Sequence, residues 1–142
     1  MGQWEVLESI AIADCALEIE GESLGDLFET AARALAELMV DPATVSVTGG
    51  RTLTLTAPSR DLLLYDWIAE LIFLKDAEQM VFTQARVEVD GGSPARLTAW
   101  LAGGRIDPAR TALRADPKAV TFHQFTLEPR AGGWRARMVI DI

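Results

Sequence analysis

The chain is 142 residues long and 49% hydrophobic, with 13 Lys and Arg against 21 Asp and Glu, a formal net charge of −8. A chain of this size holds one domain around a single core. So acidic a surface excludes holding RNA or DNA unaided, because nucleic-acid binding needs cations that displace the counterions of phosphates; it fits a cation site, a basic protein partner or an ordinary soluble domain.

The opening MGQWEVLES has no basic region followed by an apolar run, so no signal peptide is expected. Val6 stands where a myristoylation pattern needs Ser or Thr. The apolar stretches LLLYDWIAELIFL and ARALAELMV are too short and too charged to span a bilayer. A cytoplasmic protein without membrane contact is expected. Cys15 is the single cysteine, so an internal disulfide is excluded.

Trp4 to Glu8 and Asp14 to Glu20 read as strands. In DCALEIEG, Cys15, Leu17 and Ile19 alternate onto one face, and Gly21 ends the run. SLGDLFETAARALAELMV reads as the first helix, with Ser23 as its cap, Asp26 as a capping-box acid, and Leu24, Leu27, Phe28, Ala31, Leu35 and Leu38 at helical spacing. Asp41-Pro42 stops it, since a residue before proline avoids the α region. TVSVTGGRTLTLTAP alternates again and predicts two strands around a Gly49-Gly50 hairpin turn. Ser59 caps a second helix, SRDLLLYDWIAELIFLKDAE, whose buried face is Leu64, Trp67, Ile68, Leu71 and Ile72.

The remainder is strand-rich. One hairpin turns through Asp90-Gly91-Gly92, a loop with Pro108 and Pro117 follows, and a last hairpin turns around Gly132-Gly133. The expected fold is α+β, a single domain with two helices packed on one face of a largely antiparallel, or mixed, β-sheet.

The sequence holds no GxGxxG, Walker loop or GxSxG, and no CxxC or HExxH. Cys15 points inward on its strand and reads as a small core residue. His123, the single histidine, shares a strand face with Thr121 and Phe125, opposite Phe122 and Gln124; it reads as a structural group or as one that touches a site or partner. Asp66 and Glu70, four apart on the second helix, stack on one face, either solvated or bound. Asp141 interrupts the closing apolar run RMVIDI, which leaves three readings: an exposed edge, a partnered structural acid, or a cation site. Asp14 begins one strand and Asp141 ends another, so the two meet if those strands share a sheet end.

Taken together, several segments resemble the archease family along essentially the whole chain. IADCALEIEG (residues 12–21) is similar to the family's N-terminal Asp-His-Thr-Ala-Asp motif and its following strand, and ESLGDLFETAARALAELMVD and LLLYDWIAELIFLKDAE to its two helices. KAVTFH resembles its late strand, and GGWRARMVIDI its closing apolar-Asp-apolar end. The Asp-His-Thr opening differs: here it is Glu8-Ser9-Ile10-Ala11-Ile12, two residues longer and without the histidine.

The resemblance implies an accessory protein rather than an enzyme. Its partner would be the GTP-dependent RNA ligase RtcB, whose guanylylation and repeated turnover it promotes in tRNA splicing and RNA repair. A chaperone-like modulator of a tRNA methyltransferase is the alternative role. It also implies a divalent metal site, described in the family as calcium. By position its ligands are Asp14, Asp141 and a backbone oxygen of Ile142. Glu8, Asp66, Glu70, Lys118 and His123 are further candidates for partner contact.

Overall fold

The computed structural model describes residues 1–7 and 14–142. Its elements are β1 (Gln3–Val6), β2 (Asp14–Gly21), α1 (Leu24–Met39), β3 (Gly49–Ala57), α2 (Arg60–Glu78), β4 (Met80–Asp90), β5 (Ala95–Arg105), β6 (Ala119–Arg130) and β7 (Gly133–Asp141), with a single 3-10 turn at Pro42–Thr44. The α+β class, both helices and the antiparallel pairing are as the sequence implies. The described strands divide between two sheets, however: a four-stranded one in the order β1-β2-β7-β6 and a three-stranded one in the order β3-β5-β4.

Both helix starts are written in the sequence. Ser23 Oγ accepts from Asp26 N–H at 3.1 Å, and the Asp26 carboxylate accepts from the backbone N–H groups of Glu22 at 2.9 Å and Gly2 at 3.1 Å. The first-turn acid therefore also ties down the chain ahead of β1. Ser59 Oγ does the same for α2 through Leu62 N–H. After α1, the Asp41 side chain accepts from Ala43 N–H and opens the 3-10 turn that Pro42 enters.

The two helices share one core with the inner faces of both sheets. Trp67 is fully buried and donates its Nε1–H to the Phe28 carbonyl at 3.0 Å, joining α2 to α1. Around it lie Leu27, Leu35, Leu64, Ile68, Leu97 and Met138, all within 2% of complete burial. Burying a side chain of this size stabilises the fold by about 1.5–3 kcal/mol. Along β4, the Glu29 carboxylate of α1 accepts from Val87 N–H at 2.8 Å, so a helix side chain closes part of an open strand edge.

The expected hairpin at Gly49-Gly50 is not formed. Both glycines begin β3, which pairs without interruption from Gly49↔Gly103 to Ala57↔Ala95. Thr48 N–H also donates to the Gly103 carbonyl. The preceding stretch passes so close to β5 that a Cβ on Gly104 would lie 1.9 Å from the Ser46 carbonyl oxygen. The close backbone approach is served by Gly103 and Gly104 of β5, whereas a Cβ on Gly49 would meet open space and one on Gly50 only the Leu101 carbonyl oxygen at 3.1 Å. The hairpins at Asp90–Gly92 and Gly132-Gly133 form as expected.

A second departure lies in β6. Pairing with β7 runs Ala119↔Asp141, Val120↔Ile140 and Thr121↔Val139, then resumes only at Thr126↔Arg137. Residues 122–125 therefore form a wide bulge, with Gln124 at φ 54°. Simple alternation, which puts Phe122 and Phe125 on opposite faces, fails here: both rings gather on Tyr65 of α2. The Phe122 ring stacks on it at 4.0 Å between centroids, and Phe125 meets it edge-on at 5.8 Å. Tyr65 Oη donates to the Val120 carbonyl at 3.1 Å.

Candidate functional site

The pairing of β2 with β7 positions the candidate acids. Eight consecutive residue pairs run without a bulge from Gly21↔Trp134 to Asp14↔Asp141. The register is locked by the inward side chains Cys15, Leu17 and Ile19, which meet Ile140, Met138 and Ala136. A slip of one residue would turn all of them outward. The far end is held by Gly133, at φ 155°, where a Cβ would lie 2.1 Å from the Gly21 carbonyl oxygen. With the register fixed, Asp14 and Asp141 are directly opposite and share a face at the sheet end.

Like charges directly opposite repel. A side-chain hydrogen bond with Asp141 holds the Asp14 carboxyl above the usual carboxylate range. Desolvation and the charge of Asp141 act in the same direction, while nearby His123 pulls the other way. A side-chain hydrogen bond between two carboxyls requires a proton on one of them, so the metal-free pair retains a proton more readily than two separate acids would.

The other flank of Asp141 is β6. Ala119 pairs with it and presents only a methyl group, and Lys118 N–H donates to the Asp141 carbonyl at 2.7 Å. Lys118 is held from behind. The buried ammonium of Lys75 on α2 bonds the Pro117 carbonyl at 2.6 Å, the Asp116 carboxylate, and Asp76 at 2.9 Å. Burial works against the Lys75 charge, but Asp116 and Asp76 outweigh it and hold the group above the ordinary lysine range. No local pattern announces this role, because Lys75 occupies a buried position of α2 where apolar residues are expected.

The donor chemistry suits a hard divalent cation: two carboxylates already crowded together, with the Ile142 backbone one residue beyond. Among the described residues, no three or more His, Cys, Asp and Glu converge as a metal cluster. The described groups at this sheet end that could offer oxygen to a cation are the two acids and the Ile142 backbone. Glu8 lies outside the described residues.

The remaining candidates disperse. His123 sits on the exposed bulge close enough to influence Asp14. Asp66 is exposed on α2; Glu70 is half-buried and acts electrostatically on Arg51, which is bonded to Glu78. Cys15 is buried, which pushes its thiol up and leaves it a core residue. Among the described residues no helix is long and apolar enough to cross a membrane.

Comparison with known proteins agrees with this frame. Residues 4–142 match the archease protein family. The protein archease of Methanosarcina mazei is 34% identical over 99% of this chain and 96% of its own length; that of Methanothermobacter thermautotrophicus is 34% identical over 92% and 93%. The solution structure of Methanobacterium thermoautotrophicum protein 1598 superposes with a TM-score of 0.84 at 32% identity, covering 98% of both chains. A Thermotoga maritima crystal structure, described as an archease and possible chaperone, shares the fold at a TM-score of 0.64 and 17% identity over 97% of this chain and 98% of its own. With its whole length matched in sequence and in fold, the chain belongs to the archease family.

Proposed function

We propose that this chain is a non-enzymatic accessory protein of the GTP-dependent RNA ligase RtcB. It promotes guanylylation of the ligase and its repeated turnover in tRNA splicing and RNA repair, through an acidic site that takes a divalent metal, calcium by family resemblance. The observation that carries this reading is the direct pairing of Asp14 with Asp141 in the β2/β7 ladder, whose other acids, Glu18 and Glu20, lie opposite Arg137 and Arg135.

Asp14 and Asp141 would hold the metal with a backbone oxygen of Ile142, and when bound it supplies positive charge at the edge of the sheet. The chain's own contribution is placement. The β2/β7 register sets the two carboxylates side by side, and Lys118 N–H fixes the backbone of Asp141. The net charge of −8 favours encounter with a basic, RNA-handling enzyme more than it deepens the affinity.

A coupled ligation assay tests the reading. RtcB with GTP, a divalent metal, RNA ends and substoichiometric amounts of this protein should complete several turnovers per ligase. Asp141→Ala should reduce the reaction to the level of ligase alone. Equal turnover with wild type and Asp141→Ala would remove the terminal acid from the function, and no stimulation by wild type would remove the ligase as partner.

A further inference from the structure

The outer face of α2 presents an apolar stripe. Leu62 and Phe73 are exposed by 37% and 58%, and Ala69 lies between them half-buried. These positions recur at helical spacing and span about 17 Å along the helix axis. The β6 bulge widens the stripe, because Phe122 stacks on Tyr65 while 61% exposed. The other exposed aromatics differ: Trp100 lies beneath the Arg86 guanidinium at 4.8 Å, whereas a contiguous exposed face of this kind marks an interaction site.

The charge around the stripe is mainly negative; Arg60, at the start of α2, lies over the Trp134 ring at 4.6 Å. Asp61, Asp66 and Asp76 are exposed on α2 and Glu70 is half-exposed. The one lysine of the helix, Lys75, is buried and committed to Asp116 and Pro117. An apolar track rimmed by acids complements a segment that carries apolar side chains on one face and Lys or Arg on its flanks.

The stripe is also linked to the acid site along β6. Strand β6 serves both places: Ala119 pairs with Asp141, and three residues on Phe122 stacks on Tyr65 of α2. A partner seated on α2 would therefore reach the paired acids through a single strand.

We propose that the exposed face of α2, with Phe122, is the docking surface for a basic, apolar-faced segment of the partner enzyme, and that docking there sets the partner's site against Asp14 and Asp141. This rests on the accessory-protein reading above. Phe73→Glu and the double variant Leu62→Ser, Phe122→Ser should weaken binding of purified RtcB at least tenfold by calorimetry. Far-UV circular dichroism and melting of Phe73→Glu should match wild type, because that side chain is exposed. Asp14→Asn with Asp141→Asn should lose stimulation yet still bind.

Unchanged RtcB binding by both stripe variants, with wild type active, overturns the docking surface and leaves the accessory role standing. Wild type that neither binds nor stimulates RtcB overturns both. A wild-type dimer in sedimentation that Phe73→Glu converts to monomer assigns the face to a second copy and overturns the proposed occupant. A stripe variant that melts below wild type is replaced by Phe73→Lys alone, which keeps the face exposed and sets a cation among the rim acids; full RtcB binding by that variant also overturns the proposal.

Discussion

Asp14 and Asp141, at opposite ends of the chain, are nearest partners across β2 and β7, and their carboxyl groups are hydrogen-bonded to each other. Like charges directly opposite repel once both are ionised, and the proposed cation would offset that repulsion. Asp14 has a folded-state pKa above its ordinary value. Its contribution to stability is therefore complete below the unfolded carboxylate range and is lost as pH rises through the raised value. Asp141→Asn removes the repulsion. Urea midpoints of metal-free protein, measured from pH 3.5 to pH 7 (on the order of one carboxylate titration on either side of the shift), should show wild type losing ground to Asp141→Asn as pH increases. Calcium at neutral pH should raise the wild-type midpoint and leave the variant where it was. A stability gap independent of pH would mean that the two carboxyls do not share a proton.

Lys75 links the core to the site. Its ammonium holds the Pro117 carbonyl, and the next residue, Lys118, holds Asp141. Lys75→Met keeps the stem's apolar packing and removes the bonds. The cost should be about 1–3 kcal/mol, the range for leaving a buried hydrogen-bonding group unsatisfied. The informative readout is calcium affinity by calorimetry, which should fall although Lys75 touches neither acid. Wild-type affinity in Lys75→Met would show that Asp141 is positioned by β2 alone.

Part of this was legible in the sequence. The helix caps at Ser23 and Ser59, the inward alternation of Cys15, Leu17 and Ile19, and the turn at Gly132-Gly133 are local signals, and each forms as read. The pairing of Asp14 with Asp141 needed the family resemblance as well, because no local rule brings residues from the two chain ends together. Two things were not legible. Gly49-Gly50 carries the pattern of a turn, and only pairing with Gly103 and Ala102 of the distant β5 draws those glycines into a strand. The β6 bulge has neither Gly nor Pro in KAVTFHQFTL to announce it; it is set by Tyr65 gathering Phe122 and Phe125 from α2. The division into two sheets was hidden for the same reason, since strand partners are chosen by packing on the helices rather than by the strands' own sequences.

Glu29 provides a test of stability separate from function. Its carboxylate satisfies Val87 N–H on β4, in the sheet that does not contain the acids. Glu29→Ala should destabilise the protein by about 1–3 kcal/mol through the orphaned amide. Amide exchange at Val87 should accelerate, while calcium affinity and ligase stimulation stay at wild-type values. Loss of stimulation in folded Glu29→Ala protein would mean that α1 and β4 belong to the functional surface.

Gly133 tests whether the register creates the acid site. Any other residue there must accept φ 155° and a Cβ 2.1 Å from the Gly21 carbonyl oxygen. Gly133→Ala should cost at least about 1–3 kcal/mol from backbone conformation alone, and the contact can be relieved only by moving β7 away from β2. Because the eight pairs run unbroken to Asp14↔Asp141, that displacement should be felt at the far end as a weaker carboxyl pair. The pH-dependent stability gap relative to Asp141→Asn should therefore shrink in the Gly133→Ala background, and calcium affinity should fall with it. A gap and an affinity that remain at wild-type size in folded Gly133→Ala protein would show that the two acids hold their own register and do not depend on the turn.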